Sequence, residues 1–125
     1  MTTGKAVCAF VTNGDDQILA VSRKDDPTNF GLPGGKVDPG ETPKEAVVRE
    51  LFEETGLETS EVGSRLHEAD NTGHYCITFE VEVEGQIDHS REPGVVRWVD
   101  PQTLTEGMFG KYNMDLLAEL NFLDN

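Results

Sequence analysis

Positive charge is scarce in this sequence. Its 10 Lys and Arg stand against 24 Asp and Glu, a net charge of −14 at pH 7. A surface of that sign repels duplex DNA and structured RNA, so a long nucleic acid is not an expected partner. A small anion can still bind if metal ions bridge the two like charges. Long apolar runs are also missing. The stretch Ala6–Val11 is typical, far short of the roughly 20 residues that span a bilayer. The N-terminus shows no basic-then-apolar signal pattern, and the expectation is a cytoplasmic protein without membrane contact. Only two cysteines occur, Cys8 and Cys76. They have no framework spacing and form no zinc pattern with the scattered His67, His74 and His89, so they read as reduced thiols in core strands. There is no repeat, low-complexity tract or linker. The 125 residues therefore suit one domain over 1–125.

What is present is an alternation of strand and helix patterns. Lys5–Thr12 reads as a strand, Asn13–Asp16 as a turn and Gln17–Ser22 as the returning strand of a hairpin. Asp25–Asn29, with Pro27 inside it, reads as loop, and Phe30–Gly35 is rich in glycine. Lys36–Asp38 is a short extended piece and Pro39–Gly40 a turn. Thr42–Gly56 is the best-defined helix: Thr42 caps it, Pro43 opens it, Glu45 completes a capping box, and Gly56 offers a left-handed stop. His74–Val83 reads as a long strand with Tyr75, Ile77, Phe79 and Val81 on one face. Gly85–Gly94 is polar loop and Val95–Val99 a strand. Asn113–Leu123 reads as a terminal helix that turns Leu116, Leu117 and Leu120 inward. The interleaving predicts a small α/β domain.

On the Thr42–Gly56 helix, Glu50, Glu53 and Glu54 stand at i, i+3 and i+4 and share a face. Like charges at that spacing cost a few tenths of a kcal/mol per pair, and Arg49 is the nearest basic residue. An isolated acidic triplet is usually a solvated helix face. Here it follows the Gly34–Gly35 loop, where glycine allows close backbone approach to a ligand. Three hard oxygen donors in that setting suit Mg²⁺ or Mn²⁺. Glu41, just before the helix, can hold the loop or bind metal. Gly34–Gly35–Lys36 is not a P-loop, because the required first glycine falls on Phe30. Asp15–Asp16 and Asp25–Asp26 lack the spacing of a calcium loop.

Gly35, Glu41, Arg49–Glu50–Leu51, Glu53–Glu54 and Gly56–Leu57 together resemble the Nudix box, with no departure at its nine specified positions. The lead-in Phe30–Gly35 and the late Arg97–Trp98–Val99 are similar to that family as well. The resemblance implies an α/β/α sandwich on a mixed β-sheet and hydrolysis of a nucleoside diphosphate linked to some group X. It implies that Glu53, Glu54 and the Gly34 carbonyl ligate metal, and that Glu50 is the base or a further ligand. Glu92, six residues before Trp98, takes the place of a loop glutamate in the MutT-type branch and is a ligand or the base. Glu50, Glu53 and Glu92 are thus the candidate catalytic carboxylates. Gly35, Glu41, Arg49 and Gly56 would be structural, with Arg49 pairing acidic neighbours such as Glu41. A nucleotide-sensing domain without activity usually loses box glutamates, and this chain keeps them.

Substrate choice lies outside the box. Arg23 and Lys24 are placed to meet phosphates. Tyr75 keeps a dinucleoside polyphosphate open, and NDP-sugars and RNA 5′-pyrophosphates remain alternatives. Phe109–Asn113 resembles the base-recognition stretch of the MutT-type branch. That favours a nucleoside triphosphate such as 8-oxo-dGTP, with Asn113 reading a purine while Phe30 or Phe109 packs on its ring. Asn113 is equally an N-cap candidate, with Tyr112 and Leu117 as a hydrophobic staple. The expected assembly is a monomer or homodimer.

Overall fold

A computed structural model describes residues 4–71, 73–90, 95–107 and 109–122. Strand β1 (Lys5–Phe10) lies in the middle of a four-stranded sheet. It pairs antiparallel with the short β4 (Gly34–Lys36) and parallel with β6 (His74–Glu84). Beyond β6 runs β5 (Glu58–Asn71), antiparallel and at the edge. A second, antiparallel sheet has β2 (Ile18–Arg23) between β3 (Asp26–Gly31) and β7 (Val96–Val99).

Alternation along β1 and β2 splits the core between two faces. Val7, Ala9, Val11, Leu19 and Val21 join Ala46, Val47 and Leu51 of α1 (Pro43–Thr55) in one cluster. Phe10, Ile18 and Ala20 join Leu104 of α2 (Pro101–Leu104) and Leu116 and Leu117 of α3 (Gly110–Glu119) in the other. The result is the expected α/β/α sandwich with a mixed sheet, extended by the separate antiparallel sheet. Among the described residues no helix is long and apolar enough to cross a membrane.

Helix α1 forms as the sequence predicts. Thr42 Oγ1 accepts from the Glu45 N–H, the Glu45 carboxylate accepts from the Thr42 N–H, and Gly56 closes the helix at φ +80°.

Three expectations change, and one segment that the sequence left unassigned is a strand. The turn after β1 is present, with Asn13 Oδ1 accepting from the N–H groups of Asp15 and Gln17. Yet among the described residues the hairpin closes with a single bridge, between Ile18 and Thr12 beyond the end of β1, and β2 then leaves for the other sheet. Residues 26–31 are strand β3 and not loop, because Pro27 sits on an edge strand, where a missing N–H costs no ladder bond. The polar segment 58–71 is a strand although it lacks clean alternation, since three register irregularities against β6 scramble its pattern. Helix α3 begins three residues before Asn113. The Asn113 N–H already bonds the Phe109 carbonyl, so Asn113 lies inside the helix and caps nothing. The proposed staple of Tyr112 and Leu117 falls with it.

Candidate active site

Helix α1 faces β4 across the site. Gly35 is required there, because a Cβ on it would stand 2.5 Å from Glu50 Cδ and 2.7 Å from both carboxylate oxygens. The Gly34 N–H donates to Glu54 Oε1 at 2.7 Å. A side chain at Gly34 would strike the Val7 carbonyl. Both glycines therefore let β4 lie against β1 and the glutamate face at once.

Arg49 ties the cluster together. Its Nε and Nη2 donate to Glu41 Oε2 and Oε1 at 2.8 and 2.9 Å, a two-pronged pair. Its Nη1 donates to Glu50 Oε1 and Glu53 Oε1, each at 2.9 Å, and its Nη2 also reaches the Lys36 carbonyl at 3.1 Å. One guanidinium thus hydrogen-bonds the carboxylates of Glu41, Glu50 and Glu53 and lies 3.4 Å from that of Asp38. It holds the Glu41 carboxyl down to about 2, with help from the Asp38 N–H.

Glu54 is the exception, because Arg49 does not bond it in this network. Burial pushes its carboxyl up to about 8; the Gly34 N–H works against this, and the charges of Glu50 and Glu53 add to it. A desolvated carboxylate beside two others is stabilised by a cation, and its oxygen donors suit a hard divalent ion. Among the described residues, no three His, Cys, Asp or Glu side chains converge as a finished cage. Arg49 draws Glu50 and Glu53 one way and Gly34 draws Glu54 another, each through Oε1. The donor chemistry fits a divalent metal once these carboxylates turn inward. Glu92 lies outside the described residues.

Two hollows that share part of their walls adjoin this cluster. A cleft of about 630 Å³ is lined by Arg23, Lys24, Asn29, Leu32, Gly34, Glu54 and Phe109 among others. Arg23 ends β2 and pairs with Asp25 at 3.2 Å. A smaller, more enclosed cavity of about 170 Å³ shares Leu32, Gly34 and Phe109 and adds Cys8, His74, Tyr112 and Asn113. Phe109 stands where the two meet, and a Cβ on Gly31 would lie 3.5 Å from its ring. Asn113 is 2% exposed, and its Nδ2 donates to the Leu104 carbonyl at 3.1 Å.

The fold thus brings together most of the residues that the sequence singles out, with two exceptions besides Glu92. Phe30 packs with the apolar cluster under α3 and lines neither hollow. Tyr75 packs on the α1 side, and its hydroxyl donates to Glu68 Oε1 at 2.6 Å. Sequence reasoning missed Leu32, Cys8 and His74. Leu32, the lone apolar residue between Gly31 and Pro33, was the one legible hint. A third cavity of about 490 Å³, lined by Phe10, Leu66, Glu80 and Phe122 among others, touches no box residue.

Comparison with known proteins agrees with this architecture. The NUDIX domain profile matches residues 2–120. A MutT-like protein of Streptomyces ambofaciens is 32% identical over 119 residues, 93% of this chain and 76% of that protein. The CTP pyrophosphohydrolase of Escherichia coli is 35% identical over 86 residues, 66% of this chain but 56% of that protein. A solved structure from a study of MutT from Aliivibrio salmonicida and Vibrio cholerae superposes with a TM-score of 0.75 at 26% identity, covering 99% of this chain and 100% of that one. With a complete box, a sandwich that assembles it and matches along nearly its whole length, the chain belongs to the Nudix family and is a hydrolase of nucleoside diphosphate derivatives.

Proposed function

We propose that the chain hydrolyses a nucleoside triphosphate to the monophosphate and pyrophosphate, with an oxidised purine nucleotide such as 8-oxo-dGTP as the preferred substrate. One observation carries this reading. A cleft with Arg23, Lys24 and Glu54 on its wall shares Leu32, Gly34 and Phe109 with a smaller cavity that Asn113 also lines. Phosphates beside the glutamates would place the base in that cavity. The name of the CTP pyrophosphohydrolase relative supports a triphosphate.

Glu50, Glu53, Glu54, the Gly34 carbonyl and Glu92 would hold Mg²⁺, with Mn²⁺ as a substitute. The bound cation supplies neutralisation of the diphosphate and a lowered pKa for the attacking water. The water oxygen would bond to one phosphorus of the diphosphate linkage while the bridging P–O bond to it breaks, and the other half of the linkage would leave with the bridging oxygen. The water proton passes to a carboxylate, Glu50 or Glu92. Arg49 positions Glu50 and Glu53, while Arg23 and Lys24 meet the outer phosphates. At Asn113 the Leu104 carbonyl demands a donor, which fixes the amide with Nδ2 toward α2. A base edge in the cavity would therefore meet a defined acceptor, Oδ1, together with the second N–H.

The test is a Mg²⁺-dependent screen of dNTPs, oxidised dNTPs, ADP-ribose, dinucleoside polyphosphates and NDP-sugars, with products identified by mass. Fastest turnover is expected for a purine triphosphate, with monophosphate and pyrophosphate as products. Faster cleavage of ADP-ribose or an NDP-sugar, or release of a single phosphate from the triphosphate, overturns the reading.

A further inference from the structure

The hydrolysis proposed above uses no thiol, yet both cysteines of the chain lie together. Cys8 Sγ and Cys76 Sγ are 3.4 Å apart, one on β1 and the other on the neighbouring parallel strand β6. Both are free. They point to the α3 side of the sheet, and both line the small cavity with His74 and Asn113.

Their placement argues against a disulfide. Cys8 is in register with Thr78, and Cys76 with Ala6, so the two cysteines are offset by two residues along the ladder. Strand spacing of about 4.8 Å and a two-residue rise of about 6.6 Å put their Cα atoms roughly 8 Å apart. A disulfide needs less than about 7 Å between Cα atoms and about 2.05 Å between sulfurs. The ladder therefore holds two reduced thiols in contact without letting them join.

The same spacing suits one atom placed between the sulfurs. Metal–sulfur bonds of about 2.3 Å at a tetrahedral angle set two sulfurs roughly 3.8 Å apart. Small side-chain rotations reach that from 3.4 Å, with no movement of either strand. We propose that Cys8 and Cys76 form a two-thiolate binding site for a thiophilic divalent cation, Zn²⁺ or Cd²⁺, at the floor of the small cavity.

Binding converts two S–H groups and one M²⁺ into two S–M bonds and releases two protons to solvent, so it tightens as pH rises. Among the described residues no third His, Cys, Asp or Glu completes a cluster with the pair, which leaves the remaining positions to water. The site is chemically distinct from the glutamate cluster: hard carboxylates select Mg²⁺, and soft thiolates select the thiophilic ion. Since the cavity is also the proposed seat of the base, an ion here would compete with nucleotide. That consequence rests on the proposed function, but the metal site itself does not.

The experiment is a Cd²⁺ titration of the reduced, full chain in excess Mg²⁺, followed by the ultraviolet sulfur-to-cadmium charge-transfer band. The expected result is a band that saturates at one equivalent and is lost in both Cys8→Ser and Cys76→Ser. Cadmium-113 NMR of the unmodified chain gives the same answer without a variant, because thiolate ligation shifts the resonance strongly downfield of an all-oxygen site. Absence of the band and of a thiolate-shifted resonance overturns the proposal, as does a band that survives either substitution. In a second step nucleotide is added. A band that persists unchanged under saturating triphosphate supports the thiolate site and overturns the base-cavity assignment instead.

Discussion

Glu54→Gln separates a buried metal-ligand carboxylate from an ordinary helix glutamate. Glu54 is held up to about 8, chiefly by burial, whereas an unfolded chain ionises it near 4.5. Below the unfolded value both states are protonated and Glu54 contributes no pH dependence. As pH rises from 4.5 the unfolded chain ionises first, so the folded state loses stability until the folded group also ionises near 8. From pH 4.5 to 7, at roughly 1.4 kcal/mol per pH unit, the loss is on the order of 3 kcal/mol. Gln keeps an oxygen to accept from the Gly34 N–H, which Glu54 now does at 2.7 Å, and it cannot ionise. The metal-free variant in EDTA should therefore melt above the parent at pH 7, by roughly 10 °C for a domain of this size. The gap should close near pH 4.5. Mg²⁺ should reverse the order, because it binds the folded parent's carboxylate and gains little from the amide. Calorimetry at the two pH values, with EDTA and then with Mg²⁺, reads all of this. A variant that melts below the parent at pH 7 in EDTA would contradict the burial of a charge-prone carboxyl, and equal Mg²⁺ gains in the two proteins would remove Glu54 from the metal site.

Gly35→Ala should lower kcat/KM by at least about tenfold while costing little stability, since the new Cβ displaces the Glu50 carboxylate from a contact of 2.5 Å; steady-state kinetics beside a melting curve checks it. Arg49→Lys keeps the charge but cannot bridge Glu41, Glu50, Glu53 and the Lys36 carbonyl together. Urea unfolding should show a loss of about 1–3 kcal/mol. Asn113→Ser should also destabilise, by about 1–3 kcal/mol, because it abandons the buried Leu104 carbonyl. The same variant should blur the ranking of purine over pyrimidine triphosphates; unchanged stability would contradict the buried bond, and an unchanged ranking would remove Asn113 from base reading.

Short-range chemistry made part of this protein readable from its residues. Helix α1 was legible end to end, because its cap, opening proline and stop lie within a few residues of the groups they satisfy. The shared face of Glu50, Glu53 and Glu54 was legible because helical periodicity alone sets it. Whatever depends on a distant partner was settled only by folding. Strand β5 exists because β6 pairs with it, and its own bulged pattern does not announce it. Pro27 is tolerated in β3 because, among the described residues, that strand has no neighbour on its outer side. Residue 110, where helix α3 starts, must be glycine because a side chain there would strike the Thr105 carbonyl. The environment of each box glutamate was likewise invisible in the triplet. Arg49 reaches Glu50 and Glu53, while burial against β4 isolates Glu54. Cys8 and Cys76 are 68 residues apart in sequence, and only the parallel pairing of β1 with β6 brings their sulfurs together. Local caps and periodicity act within one turn of chain, whereas burial, charge environment and cavities come from segments that meet only after folding.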